Sequence, residues 1–581
     1  MIDQLQSHEK FTKEEAYYIE PFFTNLDKNV FAARYLPSEL LGALASRYSR
    51  SAKGVRRLFF DEYIKPILEP DLIEVGTREI REAGRMRKEL LSFVDYLHKH
   101  GGWEAVVGSK RARDFFARWL AAYGDDSIAQ MAGAHIFFEN ISNVATKILE
   151  DFRIGFAPLE KSTRYVLFDQ KVGGRYLFFL EPDLVKSKFK GEYIRLMNML
   201  FRRYTDSVEP LSKYLRKIFP QEKDQSERAY RETIKAKTCD VLRPYLPAAT
   251  LTNVGFFGVG QAFEYVLTKC YAHPLEEIRM LSKAAQKELE KVIPSLVNRA
   301  SSPRGKIYQR YVASTEKTLE KLSRKFLCST TPGVEEALHP RGAVMKPGVD
   351  LVEYDQDAED RIVASLLYKY AQVSYKQVKE AVSKLTPQQK SQIIQKAIEG
   401  RQVRQHKLVR ACENTYYKFD IVANLGIYRD IHRHRILTQE RQRFTTELGF
   451  DVPPDLIKAK LDKPYRDAAE RIDRFHKKIR KQYPDQSQYV VMLGNRIRWY
   501  QWENLREVCW ETELRTGPQG HPDYRKIEQE KVKLVQSVHP ALAMALKFVD
   551  FKQYDLARRE SENRIDRKMA KIVAGKLGGE R

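Results

Sequence analysis

The residues of this sequence best suited to chemistry form a triplet, Arg433, His434 and Arg435. Two guanidinium groups flank one imidazole, and further arginines follow at Arg441 and Arg443. Such a cluster repels itself unless an anionic or electron-rich group neutralises it. The triplet therefore predicts a binding site for a phosphate, a nucleotide or an anionic cofactor.

Two other interpretations of this stretch have to be weighed. His432 and His434 would share one face of a strand, where they could hold a metal ion. On a helix they would point about 200° apart, and the flanking arginines would repel a cation, so no metal site is predicted. A solvated basic helix end is the structural alternative, because positive side chains are favoured at a helix C-terminus.

A second polar cluster lies upstream, where residues 160–165 read Glu-Lys-Ser-Thr-Arg-Tyr. Its carboxylate, hydroxyl and guanidinium groups could orient a base, a sugar and a phosphate. In a plain surface loop, Glu160 and Arg164 would instead pair with each other for less than about 1 kcal/mol. Both interpretations of the loop remain open at the level of sequence.

Helical periodicity dominates the elements that must position these clusters. Apolar residues recur at spacings of three and four over residues 40–60, 128–148 and 366–382. Strand-like runs are shorter and fewer, at 165–168, 176–180 and 350–354. The sequence therefore predicts a helix-rich α+β fold.

Composition and charge narrow the class of protein. The 581 residues predict two to four domains, and 43% hydrophobic with 31% charged residues indicate a globular protein. No apolar run is long enough for a membrane helix. Five cysteines without a CxxC pair, and a polar first segment, predict a cytoplasmic protein without disulfides. The net charge of +24 has two explanations: it keeps the protein soluble and attracts phosphorylated ligands, or it binds nucleic acid.

The surroundings of the triplet resemble the flavin-dependent thymidylate synthases. Residues 350–354 look like the opening of that family's domain, and the spacing from Glu413 to Arg435 matches the family's approach to its Arg-His-Arg. Residues 504–506, with Arg515 nine positions later, are similar to its Asn-x-Arg element and its later substrate-binding arginine. After the triplet this sequence lacks the family's serine-containing element.

The first half keeps a complementary part of the pattern. Residues 160–165 are similar to the family's Glu-x-Ser-x-Arg-Tyr loop, which holds the uracil nucleotide, and Arg243 falls where the family places an arginine on the phosphate. The triplet position reads Phe152, Arg153 and Ile154 here, so flavin binding is not expected in this half. The resemblance implies two tandem modules forming a pseudo-dimer, at 1–300 and 348–581, with a helix-containing linker at 301–347.

The resemblance also implies a function. We expect an enzyme that methylates dUMP to dTMP with FAD as cofactor and with NADPH and methylenetetrahydrofolate as co-substrates, and no protein nucleophile is required. The expected flavin-binding residues are Arg433, His434, Arg435, Asn504 and Arg506. The expected substrate-binding residues are Glu160, Ser162, Arg164, Tyr165, Arg243 and Arg515. The family builds its sites between subunits, so a composite site and a dimer of two-module chains are expected.

Two alternatives remain open. The positive charge favours an enzyme of the same fold that modifies uracil in another substrate, such as nucleic acid. Because each copy has lost part of the motif set, an inactive descendant that binds nucleic acid or serves a structural role is the third possibility.

Overall fold

Both halves of the chain contribute to each of the two compact units of this protein. The computed structural model describes residues 5–69, 77–101, 129–327, 347–556 and 558–578. Unit 1 comprises residues 1–195, 248–343 and 483–489, and unit 2 comprises residues 196–247, 344–482 and 490–581. Residues 196–247, which precede the predicted linker, therefore belong to the same unit as the Arg-His-Arg triplet.

Each unit contains one four-stranded antiparallel sheet. The strands are β1 (Val30–Ala33), β2 (Gly133–Ser142), β3 (Phe156–Glu160), β4 (Lys171–Val172), β5 (Arg175–Tyr176), β6 (Leu251–Val259), β7 (Gly348–Tyr354), β8 (Tyr416–Asn424), β9 (Leu437–Arg441) and β10 (Arg496–Asn504). The sheet of unit 1 has the order β1-β2-β6-β3, and that of unit 2 has the order β7-β8-β10-β9. If the strands of each sheet are numbered 1 to 4 along the chain, both sheets have the spatial order 1-2-4-3.

Helices make up most of the remaining described structure. They are α1 (Lys13–Ile19), α2 (Ser38–Tyr48), α3 (Val55–Phe59), α4 (Lys65–Leu68), α5 (Thr77–His100), α6 (Asn143–Glu150), α7 (Pro182–Lys186), α8 (Lys190–Ile218), α9 (Glu227–Leu242), α10 (Gly260–Tyr271), α11 (Glu276–Leu289), α12 (Pro294–Ser301), α13 (Pro303–Leu327), α14 (Ala358–Ala371), α15 (Tyr375–Ser383), α16 (Pro387–Ile398), α17 (Leu425–Ile431), α18 (Pro454–Lys458), α19 (Asp462–Arg480), α20 (Leu505–Arg515), α21 (Pro522–Val538), α22 (Pro540–Ala543) and α23 (Arg559–Gly578). The predicted helix-rich α+β class is confirmed.

The same succession of elements occurs in both units. The second strand of each sheet leads directly into a helix, α6 in unit 1 and α17 in unit 2, and the fourth strand leads into α10 or α20. The next helix, α11 or α21, packs against the first strand of its own sheet. This matching succession supports an internal duplication.

Strand β10 illustrates why these segments fold as they do. Its inward-facing residues Ile497, Trp499, Gln501 and Glu503 are buried and alternate with more exposed neighbours, as the two-residue period of a strand requires. Asn504 then ends the strand and caps α20, because its Oδ1 accepts a hydrogen bond from the Glu507 amide at 3.0 Å.

Two of the predicted elements are wrong, and the strand predicted at 176–180 is found only at its first residue, the end of β5. Residues 165–168 form no strand; Ser162 starts a turn there, since its Oγ accepts from the Arg164 amide and its carbonyl from the Val166 amide. The stretch 128–148 was predicted to be helical, but it contains β2 followed by α6. β2 is buried on both faces over most of its length, so its apolar residues do not alternate with exposed polar ones as they would in a half-exposed strand.

Other predicted elements are confirmed. The strand at 350–354 lies in β7, and the helix expected within the linker is α13. Residues 328–346 of the predicted linker lie outside the described residues. Among the helices that the structure describes, none is both long enough and apolar enough to cross a membrane.

Candidate functional site

The Arg433-His434-Arg435 triplet follows the C-terminal end of α17 and precedes β9 in unit 2. α17 begins at a cap in which Asn424 Oδ1 accepts from the Ile427 amide at 3.0 Å. The three side chains have different surroundings: His434 is buried, Arg433 is half-buried and Arg435 is exposed. The triplet thus spans the boundary between the core of unit 2 and its surface.

His434 uses both nitrogens of its ring within the protein. Arg515 Nε lies 2.9 Å from His434 Nε2, and Glu507 Oε1 lies 3.0 Å from His434 Nδ1. Because the arginine N–H can only donate, Nε2 must accept, and the ring proton is on Nδ1, where it is donated to Glu507. His434 is therefore a neutral imidazole of defined tautomer. Both ring nitrogens are thus engaged within the protein, and the role of His434 toward a flavin stays a prediction.

Arg515 is the residue that His434 orients. Its Nε is bound to His434, whereas Nη1 and Nη2 make no hydrogen bond to any residue that the structure describes. A guanidinium held by one nitrogen with two N–H₂ groups still available matches the geometry of a phosphate, a carboxylate or a carbonyl oxygen. Arg515 and His434, which the sequence assigns to substrate and to cofactor, lie in direct contact.

Arg243 also meets the triplet within unit 2, although it precedes the linker. Arg243 Nη1 donates to Asp430 Oδ2 at 3.1 Å, and Arg433 Nη2 donates to Asp430 Oδ1 at 3.1 Å. One carboxylate therefore neutralises part of the charge that the sequence assigned to an external anion. Arg243 Nη2 is buried without a hydrogen-bond partner, which leaves a donor unused beside the triplet.

Asn504 and Arg506 are placed on α20 with partners of their own. Asn504 caps the helix, as described above. Arg506 donates from Nε to the Leu408 carbonyl at 2.8 Å and from Nη1 to Glu413 Oε1 at 2.9 Å. Glu413, which marks the start of the family-like spacing, thus anchors Arg506 to the segment before β8.

The predicted nucleotide loop lies in unit 1 and is largely buried there. Lys147 Nζ donates to Glu160 Oε2 at 3.0 Å, and the same ammonium contacts Glu150. The Ser162 amide donates to the Ser49 carbonyl at 2.8 Å, and Arg50 stands 5.4 Å from the centre of the Tyr165 ring. Arg164 is buried. The roles of these four loop residues in substrate binding stay predictions.

Lys161, within this loop, has an unusual environment. Burial lowers the pKa of its ammonium to about 8, while the carboxylates of Glu139 and Glu9 oppose that shift. Its Nζ lies 3.4 Å from the Ala52 carbonyl. Lys161 is therefore a half-buried lysine whose ammonium is stabilised by the charges of Glu139 and Glu9, and the sequence offered no sign of this.

The sequence identified the arginines of the site but missed their acidic partners. Asp430 precedes Arg433 by three residues, a helical spacing that could have predicted their ion pair. Glu507 follows Asn504 by three residues, which resembles a capping signal rather than a partner for histidine. No local pattern predicts that Glu507 reaches His434, 73 residues away along the chain.

Comparison with known proteins gives the family. The model of the family described as thymidylate synthase complementing protein matches residues 85–295 and 350–541. A UPF0159 protein of Chlamydia muridarum is 37% identical over 95% of this chain and 98% of its own length. UPF0159 proteins of Chlamydia pneumoniae and Thermoplasma acidophilum are 36% and 30% identical, over 96% and 78% of this chain and 99% and 92% of their own lengths.

Solved structures show a more limited likeness. The UMP/dUMP methylase PolB from Streptomyces cacaoi, bound with 5-Br dUMP, is 14% identical, and the match covers 34% of this chain and 94% of that one with a TM-score of 0.27. The same enzyme bound with 5-Br UMP is 17% identical, with 35% and 95% covered and a TM-score of 0.26. The family assignment therefore rests on the two sequence segments, one in each half. This chain belongs to the thymidylate synthase complementing protein family as a tandem, two-copy member.

Proposed function

We propose that this protein is a flavin-dependent thymidylate synthase-like enzyme that methylates the uracil ring of dUMP, with methylenetetrahydrofolate and NADPH as co-substrates. The observation that carries the proposal is the convergence of Arg243, Arg433, His434 and Arg515 within unit 2. These residues were selected by their resemblance to a flavin and nucleotide site, and they come from distant parts of the chain. Their convergence supports a common ligand-binding role.

The charges of this group fit an anionic ligand. Arg243 and Arg433 share one carboxylate, Asp430, and a further cation of the triplet, Arg435, is exposed at the surface. Arg243 retains a buried unused donor, and Arg515 retains both of its terminal nitrogens. A phosphate or pyrophosphate group would supply the missing acceptors and the missing negative charge.

The residues that would hold FAD are Arg433 and Arg435, with Asn504 and Arg506 shaping the adjacent start of α20. Bound FAD would supply the redox chemistry by which the transferred one-carbon group is reduced to a methyl group. Arg243 and Arg515 would bind dUMP. Glu160, Ser162, Arg164 and Tyr165 of unit 1 are proposed as nucleotide-binding residues in their own unit. Because no protein nucleophile is required, the chain acts by positioning and by electrostatic stabilisation.

A direct test uses the purified full-length protein. The expected results are flavin absorbance in the visible range and tritium release from 5-tritiated dUMP when methylenetetrahydrofolate and NADPH are present. The double variant Arg433→Ala with Arg164→Ala should lose both flavin retention and tritium release, whereas Arg471→Ala, a change to an exposed arginine of α19, should keep them. A colourless protein that binds no added FAD, or full activity in the double variant, would contradict the proposal.

The net charge of +24 favours a second candidate, an enzyme that modifies uracil within nucleic acid. The same assay separates the two, with tritiated uracil in single-stranded RNA or DNA replacing dUMP. Tritium release from the polymer alone would favour the second candidate. Binding of the polymer without flavin and without tritium release would favour the inactive nucleic-acid-binding descendant.

We also propose that two such two-module chains associate, as the family's composite sites suggest. The mass of the purified protein, measured by light scattering after gel filtration, should be about twice the 67.8 kDa of one chain. A monomer with full activity would contradict this assembly.

A further inference from the structure

Behind the candidate site, unit 2 buries a cluster of four ionisable side chains, which we call the acid–lysine cluster: Glu503 on β10, Glu511 on α20, and Glu528 and Lys531 on α21. Lys531 Nζ donates to Glu511 Oε2 at 3.0 Å, lies 3.5 Å from Glu528 Oε2 and contacts Glu503. None of the four side chains is exposed to solvent.

Unit 1 has no such cluster at the matching positions. Glu511 is the seventh residue of α20, and the seventh residue of α10 is Val266. Glu528 and Lys531 are the seventh and tenth residues of α21, where α11 has Ser282 and Ala285. These three unit 1 residues line a small cavity of about 10 Å³, together with side chains such as Phe156 and Phe263.

The comparison of unit 2 with unit 1 shows whether the fold itself requires the acid–lysine cluster. Burying an ionised group costs several kcal/mol, and replacing a buried ion pair by apolar residues is often neutral or stabilising. Unit 1 has the same strand order and the same succession of helices with an uncharged core at these positions. The fold therefore does not need the acid–lysine cluster.

The cluster is connected to the candidate site through Glu511. Glu511 Oε1 lies 3.9 Å from His434 Nε2, the atom that accepts from Arg515. Gln501 Nε2 donates to the same Glu511 oxygen at 3.2 Å, and Lys531 Nζ donates to Gln501 Oε1 at 3.2 Å. Arg515 follows Glu511 by four residues, so both side chains lie on one face of α20.

The three carboxyl groups of the cluster differ in the pKa that their surroundings give them. Burial raises the pKa of Glu503 well above its ordinary value and that of Glu528 to about 8, although Lys531 opposes both shifts. Burial opposes ionisation of Lys531, but the neighbouring carboxyl groups raise its pKa. The pKa of Glu511, in contrast, is lowered to about 2, and His434 and Lys531 outweigh its burial. Lys531 therefore faces one carboxyl group with a lowered pKa and two with raised pKa values.

We propose that the acid–lysine cluster is a positioning device that fixes the Glu511 carboxylate, and through it the His434 imidazole and the free end of the Arg515 guanidinium, for binding of the anionic nucleotide ligand. The proposal rests on the proposed function for the nature of the ligand. The four cluster residues touch no ligand in this scheme; they act through Arg515.

The principal test removes the cluster's charge from the full-length protein with Glu503→Leu, Glu511→Leu, Glu528→Leu and Lys531→Met together. We expect a thermal midpoint close to that of the wild type and dUMP binding weakened at least about tenfold, since Arg515 loses its support. The matched control removes another buried ion pair of unit 2, Arg401 with Glu513, by Arg401→Met and Glu513→Leu. That pair is bidentate, at 3.1 and 2.8 Å. The control should bind dUMP as the wild type does.

A single substitution covers the case in which the fourfold variant does not fold. Glu511→Gln keeps the shape and removes only the charge of the carboxylate that lies 3.9 Å from His434 Nε2. We expect it to weaken dUMP binding several-fold and to change the pH dependence of that binding. Wild-type affinity with an unchanged pH profile in Glu511→Gln would overturn the proposal.

A readout without ligand separates this proposal from the proposed function. In protein labelled with ¹⁵N at histidine, His434 should show the shifts of an Nδ1–H tautomer, and the signal is assigned by its loss in His434→Gln. Glu511→Gln should shift this signal or mix the two tautomers. An unchanged His434 signal in Glu511→Gln would contradict the positioning role of the cluster, whichever ligand the wild type binds. If that signal does change but the wild type binds no dUMP, only the proposed function is contradicted.

Discussion

Arg515 donates a hydrogen bond from Nε to the His434 imidazole, and Glu507 fixes the position of the proton on that ring. This arrangement depends on a planar guanidinium, since Nε binds His434 while the two terminal nitrogens point elsewhere. A lysine would keep the positive charge but could not make both sets of contacts.

We therefore expect Arg515→Lys to weaken dUMP binding at least about tenfold with little change in thermal stability. Isothermal titration of the full-length protein would measure the affinity. Arg471→Lys, on the exposed face of α19, is the control and should bind like the wild type. Equal affinity in Arg515→Lys would mean that the terminal nitrogens of Arg515 do not contact the ligand.

Glu528 predicts how stability depends on pH. Its folded-state pKa is raised by burial to about 8, from an ordinary value of 4.5. The folded protein then binds one proton more than the unfolded chain between these values, so this residue's stabilising contribution is complete below about pH 4.5 and is lost as the pH rises through about 8. Glu528→Gln, which mimics the protonated form, should flatten this part of the profile.

Thermal melts between pH 6 and pH 9 test this expectation at constant ionic strength. The wild type should lose stability relative to Glu528→Gln as the pH rises, and the difference should level off above the folded-state pKa. Glu530→Gln, a change on the same helix at a partly exposed position, should track the wild type. Parallel profiles for wild type and Glu528→Gln would rule out a buried proton on Glu528.

At the scale of elements, the junction between β10 and α20 places the site. Its capping residue, Asn504, was assigned to cofactor binding by resemblance, and the structure gives it a structural partner, the Glu507 amide. The same helix carries Glu507, Glu511 and Arg515 toward His434. A small change in the start of α20 would therefore displace several site residues together.

Asn504→Ala should destabilise the protein by about 1 kcal/mol, because the cap hydrogen bond is lost. Asn504→Asp retains an acceptor at the same position and should be close to wild type in a urea titration. If both variants were equally stable, the cap would contribute nothing. If Asn504→Asp kept the stability but lost FAD binding, the side chain would have a second role at the ligand.

How far the elements could be predicted depended on their burial. Amphipathic helices show the expected periodicity, so α2, α13 and α15 followed from sequence, and β7 was also predicted. Strand β2, which is buried on both faces, has no such alternation and was taken for helix. The residues of the site also differ in how far they could be predicted. Arg433 and Arg515 belong to recognisable motifs. Asp430, Glu507 and the acid–lysine cluster come near them only in the folded chain.

At the scale of the whole molecule, the excess of positive charge is the property that most needs an experiment. If it serves solubility and phosphorylated ligands, binding to single-stranded nucleic acid should be weak and non-specific. Raising salt from about 50 to about 200 mM should then reduce that binding by several orders of magnitude, because it depends on counterion release. Filter binding with uracil-rich and uracil-free oligonucleotides measures it; a salt-resistant preference for uracil would favour the nucleic-acid substrate.

Unit 2 draws on residues 196–247, and this has a consequence for any attempt to cut the chain in two. The Leu493 amide donates to the Leu246 carbonyl at 2.8 Å, Arg228 pairs with Glu562, and Arg243 pairs with Asp430, all within unit 2. A gene divided at the linker would therefore encode two polypeptides that are each incomplete. We expect residues 348–581 to be insoluble when expressed alone and to be rescued by co-expression with residues 1–347. The first half of the chain is then required for the second half to fold. Natural selection can retain it for that reason even though it has lost the Arg-His-Arg motif.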